Sequence, residues 1–359
     1  MAIFTGQLRS NEIFSALYNM IISQEVFADN LGAHQTLVDK ARVDGGLYGD
    51  TKLYYSTDVL KSVPWGNDAE AANLLALHRP EAPECQEIHL DIFRQICLTV
   101  DNYLSKRAWA TEGAFSSFNS VMLGWMKETK RVYDGTLYNV FIGTTKATGA
   151  GQTISVDLSG ATSLTGVEKE QMEAMLIAQK LADLMVAMGD YSRDFNDYGN
   201  LRSYAKDGIK VVWNSKFVNK IRKVDLPTIF HKDGLVDKFE EDILPERYFG
   251  DIQTEGHTSV AGERSIVEKD YTVSNKTTHV FPGDLIPVGA TVAANESYKA
   301  PAKDVICKVL VKLPPYMSAF EVGTSFFNAK SLTENHYLTF GQNTIEYLKN
   351  YPFITVQVK

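Results

Sequence analysis

The sequence predicts a mixed α+β protein. Three observations carry that reading: strict period-2 alternation from residue 88 to 100, a helical stripe over 111–138, and strand patterns within a Thr-, Ser-, Gly- and Glu-rich stretch at 250–300. Strand and helix signals fall in separate runs, as in α+β chains.

Residues 10–28 read as an amphipathic helix. Ser10 is placed to N-cap it, and Ile13, Phe14, Leu17, Ile21 and Ile22 share one face. The face belongs either to an ordinary core helix or to an arm docked on a neighbouring subunit. Next, Leu53, Tyr55, Thr57, Val59 and Val63 alternate with polar residues over 52–63. Ile88, Leu90, Ile92, Ile96, Leu98 and Val100 do the same over 86–101, with Arg94 the single break. Thirteen residues at about 3.3 Å each span about 43 Å, roughly twice a usual strand. The expectation is a long two-stranded β-arm whose tip is the turn-rich 64–84. Such a ribbon is marginal alone and needs a partner surface, unless its strands belong to a larger sheet.

Helical spacing follows. Phe115, Phe118, Met122, Trp125, Thr129, Val132 and Thr136 step by three and four from a Thr111 cap, with Met126, Tyr133 and Leu137 widening the stripe. A helix of that length measures about 42 Å. Thr, Gly, Ser and Ala fill 16 of the 23 positions 144–166, which marks a loop or short-strand connector. Thr165 and Glu168 have capping-box spacing ahead of a helix with Ile177, Leu181, Leu184, Met185 and Met188 inward and Gly189 at its end. IKVVW at 209–213 reads as a buried strand, followed by a short helix with Phe217, Val218 and Ile221 inward. Strands are expected at 265–273 and 277–281, at 305–313 with Val305, Cys307, Val309, Val311 and Leu313 on one side, and at 353–356.

Composition narrows the function classes. Hydrophobic residues make up 44% and charged residues 22%, enough for a large core and too apolar for general disorder. Thirty-six basic against 44 acidic residues leave −8, against a generic nucleic-acid grip. Cys85, Cys97 and Cys307 are odd in number and lack CxxC spacing, so a reducing compartment fits better than a disulfide framework. No run of 18 apolar residues and no signal-peptide pattern occurs.

Marked chemistry is absent. There is no phosphate-cradling G-x-x-x-x-G-K-[ST], no G-x-G-x-x-G, no G-x-S-x-G, and no histidine pattern at zinc spacing. No catalytic, cofactor-binding or metal residue is therefore assigned. DYSRDFNDYGN at 190–200 brings Asp190, Asp194 and Asp197 together and suits a calcium site or carboxylate pair, but not an EF-hand loop. Its simpler reading is a polar helix exit with aromatic anchors and an internal Arg193 pairing. His231, in FHKDG, reads as a loop histidine.

Two longer segments carry more. SRDFNDYGNLRSYAKDGIKVVWNSKFVNKIRKVDLPTIFHKDGL at 192–235 delivers a strand into a short helix through Asn-Ser, and SFFNAKSLTENHYLTFGQN at 325–343 closes the second half. With the order arm, β-arm, long helix, helix-plus-sheet, β-rich segment and return strands, they resemble the major capsid protein of tailed double-stranded-DNA bacteriophages, the Hong Kong 97-like fold. The resemblance implies an N-terminal arm at 1–45, an E-loop β-arm at 46–107, a spine helix with the first part of the P-domain at 108–200, an A-domain at 201–304 and P-domain return strands at 305–359.

It also implies self-assembly through hexamers and pentamers into an icosahedral shell around the genome, located in the virion capsid and built in the host bacterial cytoplasm. Phe14, Leu17 and Ile21 on the arm, and Trp65, Leu74 and Leu75 at the β-arm tip, are the expected inter-subunit contacts. Further expected partners are portal and decoration proteins and either a separate scaffolding protein or none, since the arm begins almost at Met1. Packaged DNA is faced without sequence-specific binding, and no membrane is involved. Lys52 and Lys61 lie in the β-arm, but no acceptor for a crosslink is identifiable. Other readings are an encapsulin-type nanocompartment shell, a metal-assisted hydrolase using 190–198, and a monomeric binding module.

Overall fold

The computed structural model describes residues 37–45, 51–62, 77–101, 112–144, 152–218, 240–301 and 304–359, without the side chains of 112–120, 122, 123, 301 and 320. The elements run α1 (Leu37–Ala41), β1 (Arg42–Asp44), β2 (Thr51–Ser56), β3 (Glu84–Asp101), α2 (Glu112–Ile142), β4 (Thr153–Val156), α3 (Gly166–Gly189), β5 (Lys210–Asn214) and β6 (Glu240–Leu244). Short strands β7 (Gly250–Gln253), β8 (His257–Thr258), β9 (Arg264–Ser265), β10 (Lys269–Val273), β11 (Lys276–Val280), β12 (Thr291–Val292) and β13 (Tyr298–Pro301) follow. Then come β14 (Val305–Leu310), β15 (Tyr316–Asn328), β16 (Thr333–Asn343) and β17 (Phe353–Val358).

Two compact units result. The smaller comprises, among the described residues, 93–101, 112–132 and 320–341; the larger holds the rest. In the smaller unit, Val100, Met126, Leu338 and Phe340 are buried, and the ammonium of Lys130 lies 5.2 Å from the centre of the Phe340 ring. Gln95 Nε2 donates to Thr339 Oγ1 at 2.9 Å and Thr99 Oγ1 to Asn335 Oδ1 at 2.7 Å.

In the larger unit, the sheet β4-β17-β14-β5-β6 is the centre. Its middle strand β14 is antiparallel to both β17 and β5 and buried at all six positions, so both sheet faces are covered. One cover is α3, whose Ile177, Leu181, Leu184, Met185 and Met188 meet Val211, Trp213, Val309 and Val356. The other is the end of α2 with α1, where Tyr138, Val140 and Ile142 join Leu37, Val38, Val212 and Leu310. Burial of each large apolar side chain contributes about 1.5–3 kcal/mol. A polar network pins α2 to the second sheet, whose strand order is β1-β15-β16-β3-β2. Buried Asp134 accepts from Arg42 Nη2 at 3.2 Å, and the Tyr316 hydroxyl lies 2.7 Å from both Asp134 and Gln342.

Residues 250–301 make small sheets around Tyr271, Val280, Ile286, Ala290, Val292 and Tyr298. The β10–β11 hairpin closes on Ser274 and Asn275, with φ of 50° and 63°, as a two-residue turn of primed type demands.

Several expectations change. The long strand is real, 18 residues from Glu84, and its even-numbered side faces inward from Gln86 to Val100. It is not one half of an isolated ribbon, because β16 lies on its other edge. Its partner β2 ends at Ser56 instead of continuing to 63. The long helix reaches Ile142, but Trp125 turns outward and is 53% exposed. Thr165 is the N-cap of α3 without a side-chain cap bond, so the capping box does not form. The alternation at 305–313 is split by a register shift between Val305 and Cys307; Cys307 and Val309 join the α3 side, Val305 and Leu313 the α2 side. The segment 305–359 contributes β14 and β17 to one sheet and β15 and β16 to the other. The helix at 10–28, the arm tip at 64–76, Ile221 and His231 lie outside the described residues.

Candidate assembly surfaces

All six expected contact residues, Phe14, Leu17, Ile21, Trp65, Leu74 and Leu75, lie outside the described residues. The structure describes instead how the base of the β-arm is held. After Ser56 the chain leaves the sheet and is taken up by the 190–204 loop. Asn200 Nδ2 donates to Ser56 Oγ at 2.6 Å, and an Arg202 guanidinium nitrogen donates to the Thr57 carbonyl. Asp58 accepts from the Leu201 amide at 2.9 Å and from Arg193 Nη1 at 2.6 Å. The Leu201 amide first, then Arg193, holds the Asp58 carboxyl down at about 2. This competition for the backbone explains the early end of β2. Arg193 pairs within its loop, donating to the Gly199 carbonyl at 2.6 Å, and also reaches Asp58, a carboxylate more than a hundred residues away.

The acidic loop therefore anchors. Asp190 Oδ1 accepts from the Tyr191 amide at 2.8 Å, whereas Asp197 Oδ2 accepts from the Tyr347 hydroxyl at 2.7 Å. Burial raises the Asp197 carboxyl above the usual range. Among the described residues, no three His, Cys, Asp or Glu side chains converge as a metal site would require. An open pocket of about 650 Å³ lies beside this clamp, lined by Val59, Tyr191, Arg202 and Tyr204.

Sequence patterns did not expose two buried lysines. Lys299 donates to the carbonyls of Val140 and Tyr248. Lys308 donates to the Thr144 carbonyl at 2.8 Å and Thr355 Oγ1 at 2.6 Å, with its ammonium 3.9 Å from the centre of the Phe353 ring. Both grip carbonyls at the C-terminal end of α2, where the helix dipole favours cations. Burial pushes both ammonium groups down, Lys308 to about 7, and the charge of Lys308 lowers Lys299 further. The backbones pack so closely here that a Cβ on Gly143 would sit 2.1 Å from the Tyr248 oxygen. The period placed Lys308 on the side opposite Val305, Cys307 and Val309 and gave no sign of its burial.

Apolar side chains remain exposed on both units. In the larger unit Leu53 and Tyr55 lie on the outer face of β2, followed by Val59 and Leu60. In the smaller unit every residue from Glu321 to Phe327 is exposed. No helix among the described residues is long and apolar enough to cross a membrane.

No protein-family model matches the chain, and no curated protein matches it in sequence. Solved structures do. A chain of the capsid structure of Staphylococcus phage Andhra matches with a TM-score of 0.58 and 11% identity, covering 94% of this chain and 87% of that one. A chain in the structure of the head fiber and inner core protein gp22 of native bacteriophage P68 gives 0.56 and 12%, covering 94% and 88%. The agreement spans nearly both whole chains, so it concerns the complete architecture and not a shared motif. The chain has the α+β, Hong Kong 97-like fold of phage capsid structures.

Proposed function

We propose that this chain is the major capsid subunit of a tailed double-stranded-DNA phage. Copies assemble through hexamers and pentamers into an icosahedral shell that encloses the genome in the virion. The observation that carries this reading is the end-to-end fold match to a chain of a phage capsid structure. The exposed apolar strand residues, which an isolated subunit has no reason to present, support it.

In this reading, residues 1–45 are the N-terminal arm and 46–107 the E-loop. Residues 108–200 hold the spine helix, 201–304 the A-domain, and 305–359 the returning strands. Phe14, Leu17, Ile21, Trp65, Leu74 and Leu75 bury themselves on neighbouring copies. The subunit assembles in the host cytoplasm, with portal, scaffolding and decoration proteins as its further partners. It performs no catalysis; Asp190 and Asp197 hold the Tyr191 amide and the Tyr347 hydroxyl. The net charge of −8 keeps the wall from gripping packaged DNA.

Electron microscopy and sedimentation velocity of the expressed full chain test the proposal. Megadalton closed particles are expected; a monodisperse monomer at high concentration, with no particles in the crude lysate, refutes it.

A further inference from the structure

Two loops of the 250–301 segment, 257–263 and 284–292, meet around one buried carboxylate. The sequence VAGE at 260–263 makes a four-residue turn, with the Glu263 amide 3.5 Å from the Val260 carbonyl oxygen. Gly262 sits at φ 95°, the left-handed value that the third position of a type II turn requires. The turn folds the Glu263 side chain back onto its own loop, where Oε2 accepts from the Val260 amide at 3.1 Å. The Glu263 carbonyl accepts from the Ile286 amide at 2.9 Å, and Ser259 exchanges backbone bonds with Gly289 and Ala290.

Glu263 is 5% exposed, and among the described residues its cationic partner is His257. His257 Nε2 lies 2.9 and 2.8 Å from the two Glu263 carboxylate oxygens, and Nδ1 lies 3.0 Å from the Glu255 carbonyl oxygen. Both ring nitrogens therefore face acceptors. A neutral imidazole has one donor and one acceptor nitrogen, and only the imidazolium donates from both. The remaining neighbours agree with a charged ring. Tyr298 on β13 stacks against it at 4.4 Å between centres, β12 places uncharged Val292 opposite, and the Glu255 carboxylate adds negative charge. Hydrogen bonding to Glu263 first, then to the Glu255 carbonyl, holds the imidazole above its usual value.

We infer that His257 and Glu263 form a proton-operated clasp, which locks 257–263 onto 284–292 while the ring is charged and lets the loops part once it is neutral. Losing the proton turns a ring lone pair toward an oxygen and leaves a buried carboxylate without its cation, which is costly. The contribution of the clasp is complete below the unfolded histidine value near 6.5 and is lost as pH rises through the higher folded value. What it governs is the presentation of Val260, Leu285 and Val288, each more than half exposed on these two loops. His279 has less leverage, because its ring, between Asp270 and Glu268, is about half exposed and water can replace its partners. The clasp belongs to the single subunit and does not depend on the shell reading.

Amide hydrogen exchange of the full chain, read by mass spectrometry at pH 5.5, 7 and 8.5 and corrected for the intrinsic rate at each pH, tests it. Wild-type protection in peptides covering 257–263 and 284–292 is expected to fall at least about tenfold from pH 5.5 to 8.5, since one unit of histidine shift is a factor of ten. Protection of the buried strand β14 should not fall. His257→Gln and Glu263→Gln should each give low protection in the two loops at pH 5.5, with no further change at 8.5.

Wild-type loops whose protection is the same at every pH overturn the inference, and so does a fall that persists in His257→Gln. If both of these variants fail to fold, His279→Gln decides. A pH dependence kept in that variant supports the clasp, and one that vanishes assigns the effect to His279 and overturns it. Failure to form particles would refute the shell reading and leave this result untouched.

Discussion

Lys308→Met should make the subunit more stable at pH 6 and bring no gain at pH 9. Lys308 is fully buried, and no carboxylate lies among its hydrogen-bond partners, the Thr144 carbonyl and Thr355 Oγ1. Its ammonium falls from 10.5 to about 7. That difference corresponds to roughly 5 kcal/mol against the buried charge when both states are protonated. Methionine fills similar volume without the charge, but abandons two buried acceptors at about 1–2 kcal/mol each. The net gain at pH 6 is therefore about 1–3 kcal/mol. Between pH 7 and 10.5 the unfolded chain keeps a proton that the folded chain has released. Wild-type stability consequently rises with pH over that window, by about 3 kcal/mol between pH 7 and 9, and the advantage of the variant disappears. Lys299 also contributes a rise, and because the Lys308 charge lowers Lys299 further, removing that charge adds to the gain at pH 6. Urea denaturation of unassembled subunits at pH 6, 7, 8 and 9 reads the effect. A stability difference that is the same at every pH would refute the reasoning, because it would mean that Lys308 does not titrate between these values in the fold.

Leu74→Ser/Leu75→Ser should leave a folded subunit that assembles poorly; normal particles by sedimentation velocity, beside an unchanged circular dichroism spectrum, would remove the tip from the interface. Replacing Asp190, Asp194 and Asp197 by Asn should affect folding or assembly at most, and loss of a bound divalent metal together with a measurable reaction would overturn the anchoring role. His279 is raised by hydrogen bonds to Asp270 at 2.6 Å and then Glu268 at 3.0 Å. Its contribution is complete below the unfolded value near 6.5 and is lost as pH rises through the higher folded value. His279→Gln should thus flatten the stability profile on that alkaline side, by a modest amount because the imidazole is about half exposed. Histidine NMR titration of wild type checks the direction, and a value below 6.5 would contradict it.

Period was the most legible feature of this sequence. The alternation at 88–100 gave both the strand and its inward side, because a side-chain repeat of two survives wherever one face is buried. The spacing in 177–188 likewise gave the covered face of α3. What period could not give was the identity of the neighbour. β2 and β3 were legible as partners, but β16 on the far edge comes from more than two hundred residues later, and nothing local marks such a pairing. Local pattern also misled where tertiary contacts took over. Thr165 has capping-box spacing without the bond. Arg193 answers Asp58 as well as the Gly199 carbonyl of its own loop. The buried lysines were illegible because a charge inside the core is intelligible only once the helix-end carbonyls it meets are known. The acidic loop was legible as polar anchoring; that its main cargo is the Ser56–Asp58 segment was not.

The pairing of β17 with β4 has a consequence in time. Thr355 lies opposite Thr153, so β17, between β4 and the middle strand β14, must return across about two hundred residues. At 5–20 residues per second, β4 waits about 10–40 s for its neighbour to be synthesised. During that interval the α3 apolar side has no complete sheet to cover, while the exposed strand and helix surfaces of the first half already exist. Loop closure of this length also places the barrier late, since the entropy is lost before the long-range contacts reward it. Newly made subunits of this chain should therefore pass through a long, sticky adolescence, and crowded production will reward whatever keeps neighbours apart until β17 arrives.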